Sequence, residues 1–382
     1  MNNKNLIWFG PVFSYSGYAL HNRAIIFELL KLGWNISLYP TEQGIPDRLI
    51  GKEVLLRLMS NHPHDPKNTI CINLIPPTSV PFYSAYTILY TTLESKTMHQ
   101  GYLNRCSLYD EVWVPCKTNY KSFISAGYPR KYLFYFPEGV YHEFWHPSDT
   151  KHPLYKSDKF TFFYNGDWSF RKGTDLMIKS FLNTFTSADN VRLLLLVHYQ
   201  GNTPDVSAET IIKEYSEYVH KHNISNVPQV QFIFDYIPDD ELPSVYACAD
   251  VYLAPTRGEA WGLPIIQAMS CGLAPIVTAW GGQMDYCNKH NSFLIPLEKF
   301  DIMDDKVNLC VDFYKEQLFP FPAQKHLEKL LLYCYHNKDI CLKKGKIARE
   351  HVSKRFPWSL TGRKISERLT KIYESRNNFI NL

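Results

Sequence analysis

ADVYLAPTRGEAWGLPIIQAMSCGLAPIVTAWGG, residues 249–282, reads in order as a strand, a polar loop, a short helix and a second strand. The run 251–253 is β-branched and aromatic, the loop carries Gly258 and Gly262, and Pro264 and Gly272 bracket the helix. Proline has no N–H to lose in the first turn of a helix, and glycine readily adopts the left-handed conformation that follows the last turn. Two strands linked through a helix in so short a span belong to a parallel sheet. Gly258 and Gly262 let the loop's backbone N–H groups come close to a ligand. The helix N-terminus adds unpaired donors and a partial positive charge, which suits a diphosphate.

The same alternation runs along the chain in both directions. In the first half, strands are expected at 6–9, 36–39, 69–74, 87–90 and 112–114. ALHNRAIIFELLKLG lies between the first two, with Leu20, Ile25, Leu29 and Leu32 at helical spacing and Gly33 as its C-terminal stop. HPSDTKHPLYKSDK, 146–159, lacks apolar periodicity and reads as an interdomain linker. Strands then resume at 160–164, 192–197, 230–234, 251–253 and 275–278, with helices at 174–185, 209–222 and 242–248. From about 324 the pattern is helical, broken at Phe356–Pro357–Trp358, where the chain can turn back towards the first half. The expected architecture is α/β: two Rossmann-like domains, 1–150 and 151–356, with 357–382 packing on the first. Parallel sheets of this kind bind ligands at the carboxyl ends of their strands, which predicts a cleft between the two domains.

Composition excludes several classes. Hydrophobic residues at 45% and charged residues at 20% are those of a globular protein. A formal charge of +4 without a concentrated basic stripe argues against nucleic acid. Nine cysteines without a C-x-x-C pair fit neither a disulfide framework nor a zinc site, and favour a reducing, cytoplasmic setting. The apolar stretch in MNNKNLIWFGPVF is too short for a signal peptide. GKEVLLRLM, 51–59, suits a short amphipathic helix; a peripheral membrane contact and an ordinary packed helix both fit it. A dinucleotide-dependent oxidoreductase would need G-x-G-x-x-G after a strand, and none exists.

The loop around Glu259 carries the chemistry. A carboxylate beside an anion site does not favour phosphate and instead suits hydrogen bonds from sugar hydroxyls. EAWGLPIIQAMSCG (259–272) resembles the signature of family-four retaining glycosyltransferases of the GT-B fold, which runs close to E-G-F-G-L-P-x-x-E-A-M-A-x-G. GDWSFRKGTDLMIKSF (166–181), DDELPSVYACADVYLAPT (239–256), GGQMD (281–285), SGYALHNRAIIFELLKLGWNISL (16–38), DEVWVPCKTNYKSFISAGYP (110–129) and FPEGVYHEFWHP (136–147) resemble further stretches of that family in order and spacing.

The resemblance implies that Glu259 contacts the transferred sugar and that Lys172, with Arg171 beside it, meets the donor diphosphate. It implies that Gly17 lets the backbone approach the distal phosphate, and that backbone atoms near Tyr236 and Ile237 read the base. Gly262 and Leu263 open the anion-binding helix. The implied reaction replaces the nucleotide of a UDP- or GDP-sugar by an acceptor hydroxyl with retention. No D-x-D motif occurs, which fits leaving-group stabilisation without a metal or other cofactor.

Two positions depart from the family. Gln267 stands where it has a second glutamate, so one acceptor atom replaces two at the expected ribose contact. Asp167 stands where it has arginine, and is expected to point away from phosphate or to bind Arg171. Glu94, at the end of a predicted strand, is an acceptor-side or sugar-facing candidate beside the reading of a solvated loop carboxylate. His21, on the first helix, is read as a surface or capping residue before a catalytic one. The acceptor, whether glycan, lipid-linked or small molecule, would be set by loops 40–66 and 92–106, which carry no signature. A chain that binds a nucleotide sugar or a partner enzyme without turnover is the competing reading.

Overall fold

The computed structural model of the chain describes residues 4–42, 44, 49–60, 65–77, 80–82, 84–199, 204–303 and 312–380. Of the loop 40–66, residues 43, 45–48 and 61–64 lie outside the described residues. In chain order the elements are β1 (Asn5–Gly10), α1 (Gly17–Lys31), β2 (Asn35–Pro40), α2 (Lys52–Ser60), β3 (Ile70–Leu74), β4 (Tyr86–Tyr90), α3 (Gln100–Cys106), β5 (Glu111–Val114), α4 (Lys117–Ser125) and β6 (Leu133–Tyr135). There follow β7 (Phe160–Asp167), α5 (Thr174–Thr184), β8 (Val191–His198), α6 (Pro204–Lys221), β9 (Gln229–Ile233), α7 (Leu242–Tyr246), β10 (Val251–Ala254), α8 (Leu263–Ser270), β11 (Ala274–Thr278) and β12 (Phe293–Ile295). Last come β13 (Leu297–Ile302), β14 (Leu318–Pro322), α9 (Gln324–His336), α10 (Lys338–Arg355) and α11 (Trp358–Ile380). Among the described residues no helix is long and apolar enough to cross a membrane.

The first compact unit is Met1–Leu93, Thr97–Gly139 and Phe356–Leu382. Its six-stranded parallel sheet has the order β2-β1-β3-β4-β5-β6, the crossover pattern of a doubly wound fold. The strands are nearly continuous apolar runs because both faces of such a sheet are covered. Helix α1 ends at Lys31 with Leu32 as its C-cap, and Gly33 follows at φ +79, a backbone conformation that side chains disfavour. Helix α2 is held by Leu55 and Leu58, which are buried, and leaves Val54, Leu56 and Met59 exposed. Helix α11 belongs to this unit and packs on α1. Trp34 Nε1 donates to Ser366 Oγ at 2.8 Å, Tyr373 Oη donates to Asn5 O at 2.6 Å, and Arg368 pairs with the fully buried Glu111. Removing one member of that pair would leave a buried charge uncompensated, at a cost of about 3–5 kcal/mol.

The second unit is Glu94–Lys96 and Val140–Arg355. Its parallel sheet runs β12-β11-β10-β7-β8-β9, and β13 and β14 form an antiparallel pair beside it. The linker-like stretch 146–159 lies inside this unit. His152 N donates to Ser244 O, Arg192 Nη2 donates to Tyr155 O at 2.8 Å, and Ser270 Oγ donates to Trp145 O just upstream. Hydrogen bonds to its backbone, which composition does not report, hold this polar segment in place.

Candidate active site

Residues 255–263 form the loop between β10 and α8, and three neighbouring segments fix it. Arg257 N donates to Arg171 O at 2.7 Å, and Thr278 Oγ1 donates to Thr256 O at 2.7 Å. The Arg257 guanidinium forms a two-pronged pair with Asp175 (2.6 and 2.8 Å), donates to Phe170 O, and lies 3.7 Å from the Phe170 ring centre. Tyr286 Oη donates towards Trp261 O and Gly262 O, at 2.7 and 3.0 Å. Arg257 thus ties the loop to the segment carrying Arg171 and Lys172. TRGE displays it plainly, but its role as a brace depends on Asp175 and Phe170, far away in sequence.

Two glycines make the geometry attainable. Gly173 has φ +74, and a Cβ there would stand 2.2 Å from Pro255 O. Gly262 caps α8 at φ +91, and a Cβ there would have Ile265 Cδ1, Tyr286 Oη and Glu259 Cγ within 3.1 Å. At the start of α8, Ile265 N and Ile266 N bond back to Gly262 O, and Pro264 has no N–H. The Leu263 N–H has no backbone partner among the described residues and is the donor this helix end offers to an anion.

Four charged residues singled out in the sequence come together here. Lys172 Nζ lies 2.7 and 3.1 Å from the two Glu259 carboxylate oxygens, and both side chains are largely buried. Arg171 Nη1 donates to Gly258 O at 2.9 Å and lies 3.8 Å from Glu94 Oε1. Burial alone would push the Arg171 guanidinium down, but Glu94, Glu259 and Asp167 around it hold its pKa above the ordinary value. Asp167 acts on Arg171 through space and makes no ion pair with it among the described residues; Arg171 pairs with Glu94 instead. Among the described residues no protein group donates to the buried Asp167 Oδ1 or Glu94 Oε2. Unpaired buried acceptors are costly. Ligand hydroxyls are the kind of donor that would satisfy both.

Gln267 lies on α8, is 8% exposed, and its side-chain amide has no hydrogen-bond partner among the described residues. Tyr236 is exposed and Ile237 buried, in the segment between β9 and α7. Gly17 opens α1 in the first unit, after Ser16, whose hydroxyl accepts from Ala19 N at 3.2 Å. His21 is neither on the surface nor a cap, which corrects the sequence reading. It is 2% exposed, stands 3.4 Å from Glu138 Oε1, and meets the edge of the Tyr90 ring with centroids 4.5 Å apart. Burial pushes its pKa down to about 3.

Two parallel six-stranded sheets with these helices define the GT-B fold. Sucrose-phosphate synthase from Thermosynechococcus elongatus shares it with a TM-score of 0.70 over 97% of this chain and 100% of that one, at 16% identity. Anabaena HepE, solved in complex with UDP and glucose, is similar at a TM-score of 0.68 over 96% and 100%, with 15% identity. Residues 148–311 match the family model described as glycosyl transferases group 1, a span that includes Arg171, Lys172 and Glu259. Mannosylfructose-phosphate synthase of Agrobacterium fabrum is 29% identical over 150 residues, which are 39% of this chain and 31% of that protein. Matches to curated relatives span less than a third of those proteins' lengths.

Proposed function

We propose that the chain is a retaining glycosyltransferase that moves a sugar from a UDP- or GDP-sugar to an acceptor hydroxyl without a divalent metal. The observation that carries this reading is the 2.7 Å pairing of Lys172 with Glu259 at the loop leading into α8. A cation for phosphate and a carboxylate for sugar hydroxyls thus meet next to the N–H of Leu263. In transfer, the bond between the anomeric carbon and the diphosphate oxygen breaks, and negative charge grows on the departing diphosphate. Lys172, Arg171 and the α8 N-terminus would stabilise that charge, and fixed donors of this kind contribute the largest single term in many enzymes. Glu259 would exchange its Lys172 contact for hydroxyl donors of the bound sugar, with Glu94 and Asp167 as further acceptors. Gln267 would accept from one ribose hydroxyl, Tyr236 and Ile237 would meet the base, and the first turn of α1 at Gly17 would meet the distal phosphate. The neighbour solved with UDP supports a uridine donor. Exposed Val54, Leu56 and Met59 on α2 support a peripheral contact with a membrane holding a lipid-linked acceptor.

One observation favours the competing reading of binding without turnover: three carboxylates, Glu94, Asp167 and Glu259, surround two cations, Arg171 and Lys172. A thermal-shift panel of UDP, GDP, ADP, TDP and their sugar conjugates, on wild type and Glu259→Ala, tests the site. The proposal expects one nucleotide family to raise the melting temperature, with the sugar's added effect lost in the variant. No shift at millimolar ligand would overturn it.

A further inference from the structure

We propose that residues 12–14 form a backbone oxyanion site, held by the side chain of Glu42 in the resting protein, that takes a phosphate-type oxyanion when Glu42 leaves. The site lies wholly in the first unit and does not depend on the donor reading. Between β1 and α1, three successive backbone N–H groups converge on one carboxylate. Val12 N and Phe13 N donate to Glu42 Oε2 at 2.7 and 2.6 Å, and Ser14 N lies 3.2 Å from both oxygens. Consecutive amides pointing into one concavity make an anion-binding nest.

Its backing is cationic. Arg23, on α1 and 5% exposed, donates Nη1 to Val12 O at 2.8 Å and to Ser14 O at 2.7 Å. These bonds turn the loop's carbonyls towards the guanidinium and its amides away, and they add positive potential behind the nest. Thr41 N donates to Gly10 O at 3.3 Å, so the segment beyond β2 that brings in Glu42 is anchored beside the loop. Glu42 is half-buried rather than sealed, and Tyr15, Ser16 and Gly17 at the lip are exposed. The Glu42 oxygens stand in for oxygens of a phosphate or carboxylate on a ligand. The exchange makes and breaks hydrogen bonds only, and the displaced carboxylate passes to water.

The test is hydrogen exchange of the peptide covering 11–16, with inorganic phosphate and, separately, UDP as probes, on the full chain. Reading that peptide keeps phosphate bound elsewhere from being mistaken for this site. Glu42→Ala is expected to expose the three amides, and phosphate to protect them again with an affinity at least about tenfold above wild type, where Glu42 competes. Glu42→Gln, which keeps an acceptor oxygen but no charge, is expected to fall between, and it supplies the comparison if the alanine variant folds poorly. Protection by UDP as well would assign the oxyanion to the donor's distal phosphate, and protection by phosphate alone would assign it to another substrate. Amides that stay exposed in Glu42→Ala at every phosphate concentration, or equal affinities in all three proteins, would overturn the proposal and leave Glu42 a loop clamp.

Discussion

Splitting the Lys172–Glu259 pair probes the site without any ligand. At 2.7 Å, two unit charges attract by about 6 kcal/mol at an effective dielectric of 20. The side chains are 17% and 10% exposed, so desolvation offsets much of that, and a coupling of about 2–3 kcal/mol should remain. Lys172→Met leaves Glu259 with Arg171 as its nearby cation, and Glu259→Gln leaves Lys172 without its carboxylate partner. Each single variant is expected to destabilise the second unit by about 2–4 kcal/mol. The double variant should cost little more than either one. Hydrogen exchange of peptides covering β10 and α8, followed against urea, reads that unit alone. Single effects that add to within about 0.5 kcal/mol in the double variant would mean the charges are uncoupled. That result would refute the argument that this carboxylate and cation hold one another.

Three further outcomes are expected. Gly262→Ala should shift the start of α8, because the added methyl meets Ile265 Cδ1 at 2.8 Å at φ +91; a loss of about 1–3 kcal/mol and weaker nucleotide binding in a titration would show it. Gln267→Glu should tighten UDP or GDP binding by about threefold to tenfold, the worth of about one added hydrogen bond, and calorimetry that finds no change would remove Gln267 from the ribose contact. His21 has a folded pKa near 3 against 6.5 unfolded, so the unfolded state binds its proton first as pH falls. The stability this contributes is complete above about 6.5 and is lost towards pH 3; at pH 4.5 the loss is about 3 kcal/mol. Urea titrations at pH 7 and 4.5 should therefore differ by about that much less in His21→Gln than in wild type.

Strand–helix alternation was readable in the sequence wherever a strand was buried on both faces, as in 160–164 and 192–197, which became parts of β7 and β8. Short strands escaped it. LFY in β6 and FLI in β12 have three residues each, too few to show any period, and sheet position alone makes them strands. The pair β13 and β14 carries charges and prolines that obscure alternation. In the site, Glu259 and Gly262 were legible because one local stretch, 259–272, fixes their spacing, and Lys172 because a second, 166–181, sets it between Arg171 and Gly173. Arg257 as a brace and Asp167 as a buried acceptor were not, since both depend on partners that only the fold brings near. His21 escaped for the same reason: Tyr90, Glu138 and Trp358 close over it from other parts of the chain. Glu42 was equally hidden, because its partners are backbone amides that no side-chain pattern marks.

Release of nucleotide from the donor tests most directly whether Glu259 and Lys172 act on a nucleotide sugar. Wild type and Glu259→Ala would be incubated with each UDP- and GDP-sugar, with EDTA present, and free nucleoside diphosphate measured over time. Release of UDP or GDP by wild type, unaffected by the chelator and lost in Glu259→Ala although the variant still binds the nucleotide, is the predicted result. Equal release by both proteins, or none from any donor that the wild type demonstrably binds, would contradict it.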